Sequence, residues 1–451
     1  MTKPGETGQI SNGWTQPGLG KLVLLSVLSL ALTSPFFLYP LFERPSLSQI
    51  HYLTVTSLAL TALYALFALF SKGNTNLKPL IPAWLFCASL VLSALGSDTI
   101  SYSTKQLLFT LGCVGVFSAL FLSGPGQKGA KKIILLFCLV GFLTSLYGIA
   151  QNYGFEILGY AESLKKGKLN VISIFGHPNY LAAYLTPLLV IMIHAFFYHP
   201  GAGTRIFSLL GIVTLLVCLL LAGTRGAWLS LIVSVPFLLL FQSRMRRKHL
   251  PWARIVAGFF ITALILAILI TLILPRLGPK YDLKNRLEDK MPLLSRFYSW
   301  RIAGEMLKSR PLIGVGYGRY KVLYWDYVNE FQKRPASRIY DYFLNYGKGT
   351  PPLNVHNEYL EIAAEAGLLG FGCFILFLVL LLHWGWLTLS KPLPTDETTT
   401  LLPGILAAIV CILVDSIFNF PLHQPLSAFL FWMLAGLVLS EYRTHLIKSH
   451  A

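Results

Sequence analysis

The sequence predicts an all-α, polytopic membrane protein, and three observations predict it. Only 12% of its 451 residues are charged, the apolar residues fall in runs of about twenty, and basic residues gather between alternate runs. A soluble chain of ordinary composition carries about 25% charged residues. This one is 55% hydrophobic, with a mean hydropathy of +0.62.

Counting runs long enough to cross a bilayer as a helix gives about twelve spans. They cover residues 20–42, 52–71, 79–95, 104–123, 131–150, 178–198, 205–222, 227–242, 253–275, 359–385, 400–419 and 424–442. The third and eighth are short. The positive-inside rule orients them, because short inside loops collect Lys and Arg. With the N-terminus inside, the inner segments hold sixteen Lys/Arg, including the cluster Arg244, Arg246, Arg247 and Lys248, and the short outer ones hold six. Both termini are then cytoplasmic. The polar first twenty residues lack a small-residue cleavage pattern and read as no cleaved leader. The chain divides into spans 1–9 (1–275), a long outer loop (276–358) and spans 10–12 with the C-terminus (359–451).

The formal charge of +18 would suggest a nucleic-acid partner in a soluble protein. Here it serves orientation, and membrane lipid, not nucleic acid, is the expected surround. The six cysteines lie in or beside apolar runs, so no disulfide framework is expected. No clustered Cys/His or His-Glu-x-x-His spacing appears, so no metal is expected, and no Walker pattern points to a nucleotide.

The outer loop carries fifteen Lys/Arg against eight Asp/Glu, a net of +7. Within it, 294–309 reads as an amphipathic helix with Phe297, Trp300, Gly304 and Leu307 at helical spacing. Pro311 stops that helix, and Gly314-Val-Gly-Tyr-Gly318 reads as a flexible turn.

With this topology, unusual polar residues from five outer segments meet one membrane face. They are Gly176-His-Pro-Asn-Tyr180, Gly223-Thr-Arg-Gly226, Ser295–Arg301, Asn354-Val-His-Asn-Glu358 and Asn419–His423. Arg225 is a lone cation between apolar spans, either snorkelling to headgroups or holding an anionic ligand. The flanking glycines allow close backbone approach and favour a ligand. Arg296 and Arg301 lie about 140° apart on a helix and cannot share one small target. Arg301 has Glu305 one turn away as a partner, whereas Arg296 lies one turn before Trp300. His356, just before a helix start, suits either a cap or a general base. Glu358, Glu361 and Glu365 enter an apolar span on one face, where pairing with the outer arginines is the simplest account. His177 and His423 suit a wet interface.

The segment Val355-His-Asn-Glu-Tyr-Leu-Glu-Ile-Ala-Ala-Glu-Ala-Gly-Leu-Leu-Gly370 resembles the signature of the O-antigen ligase and polymerase superfamily. Arg296-x-x-x-Trp300 followed by Pro311-Leu-Ile-Gly-Val-Gly316 is similar to the pattern opening that family's large loop. Thr224-Arg-Gly-Ala resembles its arginine turn, and Gly176-His-Pro-Asn-Tyr-Leu-Ala182 its Asn-Pro-Asn-type segment. The resemblance covers roughly residues 170–440. It implies a GT-C-like, inverting, metal-independent membrane glycosyltransferase with a mostly helical periplasmic loop in the bacterial inner membrane. The implied donor is a glycan on undecaprenyl pyrophosphate, and the ligase branch transfers it to lipid A–core. Carried onto this chain, Arg225 with Arg296 or Arg301 would hold pyrophosphate and His356 would accept the acceptor proton. His177, Asn179, Asn357 and Glu365 would contact substrate. An O-antigen polymerase and a protein O-glycosyltransferase share most of these features. A transporter or flippase is the alternative of another class, but it would place its charges near the midplane of repeated halves.

Overall fold

The computed structural model describes residues 17–36, 45–70, 76–97, 100–157, 171–247, 251–273, 291–332, 354–390 and 401–450. Most of the polar N-terminal segment and the 275/276 boundary lie outside this set. Among the described residues there is helix but no strand. The helices are α1 Pro17–Thr33, α2 Pro45–Phe70, α3 Ile81–Leu95, α4 Ile100–Ser123, α5 Gly126–Asn152, α6 Pro178–Tyr198 and α7 Ala202–Ala222. They continue as α8 Arg225–Met245, α9 Trp252–Ile268, α10 Met291–Ser309, α11 Tyr320–Gln332, α12 Glu358–Leu389, α13 Leu402–Asp415 and α14 Pro425–His450.

Each apolar run singled out in the sequence overlaps one of these helices, with the ends of 20–42, 52–71, 253–275 and 400–419 lying outside the described residues. Among the described residues, eight helices are long and apolar enough to cross a membrane, and Gly20–Phe36, Trp252–Ile268 and Leu402–Asp415 are shorter apolar helices. The chain is therefore an all-helical, multi-pass membrane protein. The helices bury one continuous core. In it α13 packs on α6 and α8, α4 on α2 and α14, and α12 on α3. Side chains on α9 such as Phe260 and Leu264 stay outward, at 64% and 60% exposure, as a helix against lipid requires.

Cations gather at one end of the bundle. Arg244 lies over the Trp386 ring and donates to Ser390, Arg246 lies over Tyr198, and Arg443 donates to the carbonyls of Phe121 and Leu122.

At the opposite end, α10 and α11 pack on the start of α12 around a second, smaller core. Its buried residues include Ile302, Ala303, Met306, Tyr320, Tyr324, Val355 and Ala364. The buried stripe of α10 is thus Ser299, Ile302, Ala303 and Met306, not the Phe297, Trp300, Gly304 and Leu307 face expected from spacing. Phe297 stands 55% exposed. The reason is that α10 is covered from the side of α11 and α12, and apolar spacing alone does not say which side is covered.

The glycine-rich turn is fixed rather than flexible. Helix α12 is interrupted at Gly367 (φ 68°, ψ −174°), and the chain between Pro311 and Gly316 docks into the break. Leu368 and Leu369 donate backbone hydrogen bonds to the carbonyls of Pro311 and Leu312, at 2.8 and 3.1 Å. In return Val315 and Gly316 donate to the carbonyls of Ala364 and Glu365, at 3.1 and 3.0 Å. The two backbones lie so close that a Cβ on Gly314 would sit 2.2 Å from the Glu365 carbonyl oxygen. A Cβ on Gly367 would sit 2.3 Å from that of Leu312. Glycine is required at both positions by contact as well as by positive φ. This docking sets α10 against the head of α12.

Candidate active site

Three helices begin at the end of the bundle where α10 and α11 sit. Helix α6 starts after His177, whose Nδ1 accepts from the Asn179 backbone N–H at 3.1 Å and so caps it. Helix α8 starts at Arg225, directly after Gly223 has closed α7 in a left-handed conformation. Helix α12 starts at Glu358, capped by Asn357, whose Oδ1 accepts from the Leu360 N–H at 2.9 Å. Helix N-termini carry partial positive charge, so three together favour an anion between them.

Aromatic rings tie these starts together. The His177 ring lies 4.9 Å from Tyr180, Tyr180 lies 5.6 Å from Phe420, and Phe420 lies 5.0 Å from His356. Asn419 donates to the Asn179 carbonyl at 3.3 Å and to Asp415 Oδ2 at 3.0 Å. Asp415 in turn reaches the arginine turn, because a Cβ on Gly226 would lie 3.1 Å from its Oδ1.

Arg296 of α10 belongs to the same group. Burial lowers its pKa below the usual value, with Asp415 opposing that and Arg225 adding to it. His177 is held down to about 4, first by burial and then by Arg296. His356 is held lower still, to about 3, by burial, then Arg296, then His177. Both imidazoles are neutral near pH 7. With its Nδ1 accepting at the α6 cap, neutral His177 carries its proton on Nε2 and is a donor. His356 sits in a left-handed conformation, φ 58°, uncommon outside glycine, and its buried Nδ1 has no hydrogen-bond partner.

Other buried atoms in this group also lack protein partners: Thr224 Oγ1 and Asn419 Oδ1. Buried polar groups are nearly always satisfied, so such a concentration marks a place built for polar company. The expected residues Arg225, Arg296, His356, His177 and Asn179 come together here. Arg301 is exposed on another side of α10, and Glu305 pairs with Lys308 at 2.9 Å.

Asn357 and Glu365 fall into supporting positions. Asn357 spends its side-chain oxygen on the cap. Glu365 accepts from the N–H groups of Gly318 and Tyr320, both at 2.8 Å, and pins the glycine-rich turn to α12. Among the described residues the three glutamates of α12 are held by backbone N–H groups, an amide and an imidazole, not by arginines. Glu358 accepts from the Leu422 N–H at 2.8 Å and holds His423 Nδ1 at 2.7 Å. Glu361 accepts from Asn354 Nδ2 at 2.5 Å and the Val355 N–H at 3.0 Å. Burial opposes a charge on His423, but Glu358 and Glu361 outweigh it and raise its pKa well above the usual value. The physical reason is proximity, since backbone donors and a buried imidazole lie nearer than any guanidinium.

Glu361, Glu365 and His423 place one ligand-type atom each within 4.8 Å of one another, the group among the described residues that could hold a metal. Each carboxylate oxygen there already accepts an N–H, and together they form a hydrogen-bonded clasp around His423. Asp415 is the site residue that sequence reasoning passed over. Its signal was available: a lone carboxylate at the end of an apolar run.

Residues 210–375 match the model of the O-Antigen ligase family (Wzy_C). That segment contains Arg225, Arg296, His356, Gly367 and the docked turn. His177, Asn179 and Asp415 fall outside it, so the match is narrower than the resemblance over 170–440. A Haemophilus influenzae protein described as uncharacterized is 28% identical over 305 residues, covering 65% of this chain and 68% of the relative.

Proposed function

We propose that this chain, whose residues 210–375 match the O-Antigen ligase family model, is a membrane glycosyltransferase that moves a glycan from undecaprenyl pyrophosphate to a hydroxyl of lipid A–core. The observation that carries the reading is the convergence of Arg225, Arg296 and a neutral His356 at three helix starts.

The proposed topology is twelve crossings with both termini cytoplasmic. It is supported by the cation-rich opposite end of the bundle, as the positive-inside rule expects. The site then faces the periplasm, where the second core of α10, α11 and α12 covers it.

The donor's pyrophosphate is already a good leaving group, so the protein needs to orient reactants and stabilise the charge that develops. Arg225 and Arg296 supply planar guanidinium forks matched to phosphate oxygens, with the α8 N-terminus adding its partial charge. Asp415 is placed to position Arg296. His356 takes the proton as the acceptor oxygen bonds to the anomeric carbon. The carbon–oxygen bond to pyrophosphate breaks on the opposite side, the configuration inverts, and undecaprenyl pyrophosphate leaves. In the free protein Arg296 helps to hold His356 weakly basic. An anionic pyrophosphate on Arg296 would offset that term, making His356 a better base once the donor is bound.

The test is a purified reaction containing undecaprenyl-pyrophosphate glycan, with lipid A–core and a second donor molecule as rival acceptors. Wild-type protein should modify lipid A–core, and His356→Ala should lose transfer while still binding donor. Elongation of the second donor instead would make the protein a polymerase. Normal transfer by His356→Ala would remove the base assigned here.

A further inference from the structure

A polar cavity of about 160 Å³ lies beside the site and is not used by the mechanism above. Its walls come from α4, the glycine-rich turn, the first turn of α11, the head of α12 and the Phe420–Pro425 corner. It is connected to the reaction centre through one ring, since Tyr180 lines it and also packs on His177 and on Phe420, the ring against His356.

The lining chemistry narrows the occupant. Lys105 and Lys321 both line the cavity, and neither takes part in a salt bridge among the described residues. The carboxylates in the same wall, Glu361 and Glu365, are engaged by Asn354, backbone N–H groups and His423. Two lysines therefore offer charge to whatever enters. Gln106 Nε2 is buried and lacks a hydrogen-bond partner. Amides from Gln106, Asn354 and Gln424 complete a lining rich in groups that exchange hydrogen bonds with hydroxyls. The volume corresponds to roughly five waters, on the scale of one sugar ring, and is too polar to suit a lipid chain.

We propose that this cavity is an acceptor subsite that binds a sugar carrying an anionic substituent, with Lys105 and Lys321 holding the anion and Gln106 and Gln424 holding hydroxyls. This rests on the transfer reading above, and it specifies which part of the acceptor is recognised and where. Seating an anionic sugar here brings the neighbouring hydroxyl of the acceptor to the His356 side of Tyr180.

The experiment uses the full chain in lipid nanodiscs and reads binding and transfer separately. The binding probe is delipidated core oligosaccharide in three forms: phosphorylated, enzymatically dephosphorylated, and bearing only a uronic acid carboxylate. Removing the recognised anion should weaken binding at least about tenfold, about 1.4 kcal/mol. Lys321→Ala, at an exposed position, and Lys105→Ala should each do the same for the anionic form and change little for the neutral form. In the transfer assay the loss should fall on acceptor KM and not on donor KM. Whichever of phosphate or carboxylate restores tight binding identifies the anion. Wild-type affinity in both lysine variants, or equal affinity for anionic and neutral oligosaccharide, would overturn the proposal while leaving transfer intact. Lysine-dependent binding without any transfer by wild-type protein would instead keep the cavity and remove the transfer reading.

Discussion

Replacing Gly367 by alanine puts a Cβ 2.3 Å from the Leu312 carbonyl oxygen and 2.5 Å from the Ile313 nitrogen, both backbone atoms. No side-chain rotation relieves such a contact. The residue's φ of 68° and ψ of −174° lie in a region essentially reserved for glycine, which costs a substituted residue about 1–3 kcal/mol. Relief by separating the strands gives up the four hydrogen bonds that link Pro311–Gly316 to the α12 break, at about 1 kcal/mol each. Either route costs a few kcal/mol, and separation also lets α10 carry Arg296 away from His356. The expected result is a lowered thermal midpoint in detergent, with protease cleavage appearing between α10 and α11 before the spans unfold. Transfer should be lost even at temperatures where the spans remain folded. Gly304→Ala is the control, since nothing lies within 4 Å of its added Cβ, and it should be neutral or slightly stabilising. A Gly367→Ala protein with wild-type midpoint, cleavage pattern and activity would refute the docking argument.

Arg225→Lys should lower transfer about tenfold to a hundredfold, because a point charge replaces a two-pronged donor worth about 1.5–3 kcal/mol to an anion. Equal kcat/KM for wild type and variant would remove the pyrophosphate role. Breaking the buried His423–Glu358 pair by His423→Ala should destabilise the protein by about 3–5 kcal/mol, read as a fall in thermal midpoint. An unchanged midpoint would show that the pair contributes nothing. For pH, His177 and His356 have folded pKa values of about 4 and about 3, below the ordinary 6.5. The unfolded chain therefore binds protons first, and their contribution is full above pH 6.5 and declines as pH falls toward 3. His423 has the opposite sign: its contribution is full below pH 6.5 and is lost only as pH rises through its elevated pKa. A thermal-midpoint series from pH 4 to 8 should fall on the acid side, and less steeply in His356→Gln. Identical slopes in the two proteins would contradict the neutral, buried imidazole.

Most spans were legible because they are long and uniformly apolar, so the signal is strong and its meaning is set by the bilayer. The positions of Arg225, His177 and His356 were legible for a related reason: ionisable residues at the ends of such runs need a purpose. What spacing did not convey was contact across long sequence separations. Phe297 and Trp300 fit an apolar helical stripe as well as Ile302 and Met306 do, and only the docked α11 and α12 decide between them. Gly314, Gly316 and Gly318 looked like freedom in one dimension, yet Glu365, some fifty residues later, supplies the acceptors that fix Gly316 and Gly318. Asp415 carried the same signal, a lone carboxylate at the end of an apolar run, but the partner that gives it a place, the arginine turn, is brought beside it only by folding.

The division of labour along α12 follows from those contacts. Its start adjoins the candidate site through His356 and the Asn357 cap, its next turn clasps His423 through Glu358 and Glu361, and Glu365 holds the turn that leads into α11. One helix thus fixes His356, the Phe420–His423 corner and the loop helices to a common frame. The break at Gly367 lies after that frame and before the apolar stretch, so the remainder of α12 can follow the direction its span requires without carrying the frame with it. A continuous helix would close the break and leave Pro311–Gly316 without its backbone partners, and Arg296 without a fixed distance to His356. The glycine therefore acts on Arg296 through the loop it seats, although it touches neither the arginine nor the base.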